Sequence, residues 1–124
     1  MEEIGGTIWV VPDGFIPSGG AEGDPALECH ESFSILNTGA RDVHVEVTLY
    51  FADREPAGPY RARVPAERCL HLRPTDFTTP EPVPRDTDYS AVIQADGPVV
   101  VQQSRLDSRR GALALMSTVA YPAR

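Results

Sequence analysis

The stretch Gln102-Gln103-Ser104-Arg105-Leu106-Asp107-Ser108-Arg109 concentrates hydrogen-bonding side chains directly behind the apolar run Val99-Val100-Val101. A strand that begins as core has no packing reason to turn polar on both faces. Amide, hydroxyl, guanidinium and carboxylate groups together are what grips a polyol or a carboxylate. Residues two apart on a strand share a face, so Arg105 and Asp107 stand side by side and are placed to pair. The same pairing suits a structural network at a subunit contact, and both readings stay open here.

Other constellations are weaker. Cys69 and His71 share a face if 67–72 is a strand, and Cys29 abuts His30. No CxxC or HxxxH spacing accompanies them, and neighbours on a strand point oppositely, so no metal site is expected. Two buried thiols and surface imidazoles are the simpler reading. There is no G-x-S-x-G elbow, no P-loop and no G-x-G-x-x-G. His30 beside Glu31 would serve as an oriented base only if the fold turned both toward one substrate, so no catalytic residue and no cofactor are assigned. Tyr50, His44 and Glu46 make a polar face suited to stacking on a sugar or packing a partner.

These residues sit in a chain that reads as strands. Val43 to Phe51 alternates strictly, with Val43, Val45, Val47, Leu49 and Phe51 on one face and His44, Glu46, Thr48 and Tyr50 on the other. The turn cluster Asn37-Thr38-Gly39-Ala40 precedes it, and Ser32 to Leu36 lies upstream, so the two predict a hairpin. Further strands are expected at 7–11, where Trp9 belongs to the core or an interface, and at 60–64, 67–72, 90–95, 98–104 and 113–121. Asp96-Gly97 predicts a tight hairpin turn between 90–95 and 98–104. Segment 11–25, rich in proline and glycine, and segment 73–88, rich in proline, read as long loops, with Thr75 or Asp76 able to cap one helical turn.

Composition narrows the class. A chain of 124 residues is one domain, 1–124. Its 12 prolines and 10 glycines exclude long helices. The expectation is an all-β, single-domain antiparallel β-sandwich of about eight short strands. The net charge is -7 and every basic residue is arginine, which disfavours nucleic acid as a partner. No apolar run is long enough to cross a membrane. The N-terminus lacks the basic and apolar regions of a secretory signal, so a cytoplasmic location with reduced thiols is expected.

Several strings then resemble the sensory rhodopsin transducer family. They are Ser34-Ile35-Leu36-Asn37 with Thr38-Gly39, Val43 to Tyr50, Asp53 to Arg61, Asp86-Thr87-Asp88, Val92-Ile93-Gln94, Val100-Val101-Gln102, Arg105 to Arg109 and Leu115 to Tyr121. They cover nearly the whole chain in order. The resemblance implies a small soluble β-sandwich that assembles as a homotetramer and carries signals without catalysis. It also implies small-molecule, sugar-like binding, or contact with the cytoplasmic face of a microbial rhodopsin or with a soluble regulator. Family-typical polar positions match at His30, Glu31, Asn37, Arg73, Asp76, Gln103, Arg105 and Asp107, which become the ligand-binding candidates; Asp53 also matches. Segment 18–26, Arg85 and Arg109-Arg110 are this chain's own departures.

Three functions compete. A ligand-binding signalling module needs a pocket at Gln103, Arg105 and Asp107. A protein-contact scaffold needs only an assembled surface. A sugar-acting enzyme would depend on His30 or Glu31.

Overall fold

Strict alternation along residues 43–50 buries Val43, Val45, Val47 and Leu49 while His44, Glu46 and Tyr50 face out. That pattern sets the inner face of one layer of a two-layer structure. The computed structural model describes residues 3–21 and 23–124. It contains β1 (Gly6–Gly14), β2 (His30–Asn37), β3 (Val43–Tyr50), β4 (Ala57–Val64), β5 (Arg68–Leu72), β6 (Tyr89–Asp107), β7 (Ala114–Val119) and β8 (Tyr121–Pro122). All strand pairs are antiparallel. One layer runs β4-β3-β6-β1-β8 and the other runs β5-β2-β6-β7. The fold is the expected all-β sandwich.

Three sequence expectations change. Asp96-Gly97 does not reverse the chain: residues 89–107 form one 19-residue strand that belongs to both layers. Its first half pairs with β1 and β3, and its second half pairs with β2 and β7. The bend is absorbed opposite β1, where Gly6 faces Val99 and Ile8 faces Gln94. Asp96 is occupied there, accepting the backbone N–H of His44 at 2.7 Å, so its carboxylate anchors the start of β3. Nor do β2 and β3 form a hairpin. Residues 38–42 carry the chain from one layer to the other, and β3 pairs instead with β4 and β6. The last strand is split at Ala120, with β7 on one layer and β8 on the other.

The core lies between the layers. Phe33, Ile35 and Val101 meet Val45, Val47, Leu49 and Ile93, all fully buried. Each such side chain stabilises the fold by about 1.5–3 kcal/mol relative to exposure. Trp9 is core, and its indole N–H donates to the carbonyls of Gly6 and Val99. Pro59 is tolerated because β4 is an edge strand. The segment between β5 and β6 holds one 3-10 turn, Pro74–Asp76, entered through Arg73. Neither Thr75 nor Asp76 caps it; proline at its first position does the organising instead.

Candidate functional site

The bend in β6 creates the site. Tyr89 and Arg105 lie equally far in sequence from Gly97, one on each half of the strand. Folding β6 at 96–98 therefore returns both to the same end of the sandwich, where both reach Glu31 on β2. Glu31 is fully buried. Its Oε2 accepts Arg105 Nε–H at 2.6 Å and the backbone N–H of Phe15 at 3.0 Å. Its Oε1 accepts the Tyr89 hydroxyl. Gln103, also buried, donates to the carbonyl of Asp13 at 3.0 Å, and Arg105 Nη2 donates to the same carbonyl at 3.3 Å.

A buried carboxylate survives only when paired and hydrogen-bonded, and Glu31 has both. Burial and the adjacent Glu31 charge push the Tyr89 phenol far above its ordinary value of 10.0, so it remains a donor. Burial works against the Arg105 charge, but the bond to Glu31 outweighs it and keeps the guanidinium protonated. Arg105 Nη1 has no hydrogen-bond partner among the described residues, and the Asp13 carboxylate, 3.9 Å from Arg105 Nη2, is 81% exposed. A donor and an acceptor thus reach the rim above a saturated interior. Gly14 is required at this end, because a Cβ there would overlap the Tyr89 ring.

The expected pairing of Arg105 with Asp107 does not occur. Glu31 stands directly across from Arg105 in the β2–β6 register, where side chains are about 5 Å apart. Residues two apart along a strand are about 6.6 Å apart, so the cross-strand partner wins. Asp107 turns to Arg109, whose side chain and backbone N–H together hold its carboxyl well below the usual range.

Asp107 belongs to a neighbouring cluster around Cys29, which is fully buried. The Cys29 thiol donates to Asp107 Oδ1 at 3.7 Å and accepts the Ser108 backbone N–H at 3.4 Å. Gly20 passes so close that a Cβ there would meet Ser108 and Cys29. Cys69 is exposed on β5, so only one of the two thiols is buried. Among the described residues no three His, Cys, Asp or Glu side chains gather closely enough to hold a metal ion.

The remaining candidates are distributed elsewhere. His30 points away from the Glu31 network and its Nδ1 meets the Glu28 carbonyl at 2.8 Å. Arg73 donates to the Pro25 carbonyl at 2.7 Å and so holds the 15–29 segment. Asp76 is exposed and its carboxylate makes no hydrogen bond or ion pair among the described residues. Asn37 lies at the opposite end of the sandwich. Its Nδ2 donates to the carbonyls of Arg41, Val64 and Pro65, and its Oδ1 accepts Gly39 N–H, so it ties the layer crossing to the β4–β5 turn. It borders a cleft of about 540 Å³ shared with Ile4, Arg41, Glu67 and Asp96. Of the eight candidates, the structure therefore brings Glu31, Gln103 and Arg105 together and places Asp107 beside them.

Sequence reasoning missed Tyr89 and Asp13. Tyr89 sits just before the alternating run 90–95, and Asp13 falls in a stretch that the prolines and glycines mark as loop, although β1 continues through it. Arg85 proves half-buried and structural: its Nη1 donates to the carbonyls of Pro17 and Cys29.

Known proteins agree with this architecture. The family model for the Anabaena sensory rhodopsin transducer matches residues 4–122. The solved structure of the Anabaena sensory rhodopsin transducer is 47% identical, with a TM-score of 0.76 over 83% of this chain and 99% of that one. The crystal structure of Thermotoga maritima 1070 is 33% identical, with a TM-score of 0.80 over 94% of each chain. No curated protein matches the chain. With a family model spanning residues 4–122 and a solved relative 47% identical, the chain belongs to the Anabaena sensory rhodopsin transducer family.

Proposed function

We propose that the chain is a cytoplasmic, non-enzymatic signalling module that works as a homotetramer and takes a small polar, sugar-like ligand at the Arg105 rim. The observation carrying this reading is the Glu31 network. It fixes the Arg105 guanidinium from below, with Nη1 unpartnered among the described residues and the exposed Asp13 carboxylate close to Nη2. A fixed donor next to an exposed acceptor suits vicinal hydroxyls and needs little reorganisation on binding. No catalysis is assigned, because the oxygens of Glu31 are already engaged and His30 faces away. A ligand that binds the native state raises the unfolding midpoint by mass action. A thermal-shift series with sugars, sugar phosphates and small carboxylates is expected to yield a concentration-dependent rise that Asp13→Ala abolishes. No rise from any compound would sink the ligand reading.

A second reading is favoured by the exposed apolar surface of β7 and by the family's own name. In it the chain acts through protein contacts alone, docking on the cytoplasmic face of a microbial rhodopsin or on a soluble regulator. No helix among the described residues is long and apolar enough to cross a membrane, so any such contact is made from outside it.

A further inference from the structure

We propose that residues 77–84 form a releasable strap. The segment lifts off Tyr60 while both its ends stay anchored, which gives the fold a second state. A signalling protein needs such a state, because a partner shifts an equilibrium only between conformations that it distinguishes. The inference does not depend on a ligand at Arg105.

Both ends are fastened by several bonds. Before the strap, Arg73 donates to the Pro25 carbonyl, and the Phe77 N–H closes the 3-10 turn on the Pro74 carbonyl. After it, Arg85 donates to the carbonyls of Pro17 and Cys29, the Asp86 N–H donates to the Ile16 carbonyl, and the Asp86 carboxylate takes Ser18. Between these anchors the bonding stops. Among the described residues, no backbone group from Thr78 to Pro84 is hydrogen-bonded. Pro80, Pro82 and Pro84 have no N–H to give. The ion pair of Glu81 with Arg54 is the one polar tie of this stretch among the described residues, and both side chains are 41% exposed. Exposed pairs contribute little and are screened by salt.

The other contacts that hold the strap are apolar. Val83 is buried, and the Phe77 ring stacks on Tyr60 with centroids 4.6 Å apart and 9° between the planes. Both favour the closed state. Tyr60 opposes it. Its side chain is fully buried, and its hydroxyl has no hydrogen-bond partner among the described residues. The charges of Glu81 and Arg54 both act on this phenol, so it lies close to the ion pair. A buried hydroxyl without a partner is costly, and water satisfies it once the cover lifts. The other buried phenol, Tyr89, has Glu31 as its acceptor, so the orphan belongs to the strap and not to buried tyrosines in general. Closing gains the aromatic stack and the burial of Val83. Opening gains the hydration of Tyr60 and of the two charged side chains. It presents the Tyr60 hydroxyl beside an unpaired Arg54, whose guanidinium lies over the Phe51 ring, and the closed state shows no such surface.

The test is thiol labelling of the folded chain, with the label located by mass spectrometry. Val83→Cys and, as a reference, Val47→Cys are each made in full-length chain carrying Cys69→Ser, which removes the exposed thiol. Val47 is fully buried between the layers, so a thiol there labels on global unfolding. The thiol at position 83 is expected to label at least about 100-fold faster, as local opening allows. Adding Glu81→Gln is expected to speed it further. Adding Tyr60→Phe is expected to slow it about ten-fold, because the closed strap then covers no orphan hydroxyl. Equal rates at positions 83 and 47 mean that the segment opens only with the whole fold, and overturn the proposal. A second measurement needs no cysteine. The unfolding midpoint of Tyr60→Phe is expected to rise by a few degrees, in contrast to the loss expected for Tyr89→Phe. A midpoint that stays or falls means that the hydroxyl is satisfied in the closed state, so that nothing opposes closure, and the proposal fails.

Discussion

Glu31 is the most consequential single residue in the fold. Its charge is sealed between layers and balanced by three donors, two from opposite halves of β6, Arg105 and the Tyr89 hydroxyl, and one from the Phe15 N–H. Removing one partner of a buried pair costs more than the pair contributes, because the survivor is left buried and unpaired. Arg105→Ala is therefore expected to destabilise by about 3 kcal/mol. Tyr89→Phe, which removes one bond to a charged acceptor but leaves the ion pair, is expected to cost about 1.5–2 kcal/mol. Urea denaturation of both variants checks the order as well as the size, and equal or reversed losses would remove Glu31 from the centre of the network. Legibility differs residue by residue here. Gln103 and Arg105 were visible as polar groups where an apolar strand turns polar, and Glu31 as a family-typical position beside His30. Tyr89 was not, since its partner is 58 residues away and nothing local marks a tyrosine as the donor to a carboxylate.

Among the elements, segment 15–29 shows how a loop without regular structure is held. Ile16 is buried as its apolar anchor. Around it, Arg85 and Arg73 donate to loop carbonyls, and the Asp86 carboxylate takes the Ser18 N–H and hydroxyl. Arg85 satisfies two carbonyls at once, including that of buried Cys29. Arg85→Ala is expected to destabilise by about 1–3 kcal/mol and to speed limited proteolysis between residues 18 and 27. If cleavage there is no faster than in wild type, Arg85 is not what holds the segment. The proline content announced a loop, but its fasteners come from 73–88, the other stretch that sequence alone marks as irregular. The two loops are each other's structure.

For the whole molecule, surface carboxylates tune stability with pH. Asp107 is held low by the Arg109 side chain, Asp86 by Ser18, Asp42 by the Ala66 N–H and Arg63, and Asp96 by the His44 N–H. Each has a folded pKa below its unfolded value of about 4. Their contribution is fully present above pH 4 and is lost as pH falls through the depressed values. The unfolding midpoint is expected to hold from pH 7 to about 5 and to drop steadily below 4. A midpoint that stays flat down to pH 2 would show that these contacts contribute nothing. Asp42, Asp86 and Asp96 are exposed and Asp107 is half-buried, so added salt should blunt the effect.

The alternation at 43–50, the proline and glycine content and the family strings together determined an all-β sandwich, the location of its core residues and its kinship. Those properties are local: a period of two and a composition bias are readable without knowing which strands meet. Pairing is not local. Asp96-Gly97 favours a hairpin by short-range preference, yet here Asp96 is spent on His44 of β3, and the chain continues as one strand shared by two layers. That tertiary choice put Tyr89 and Arg105 on the same carboxylate, sent Asp107 to Arg109 and left β7 as an uncovered edge. Each outcome depends on the distance between groups far apart in sequence, and only the folded chain sets that distance.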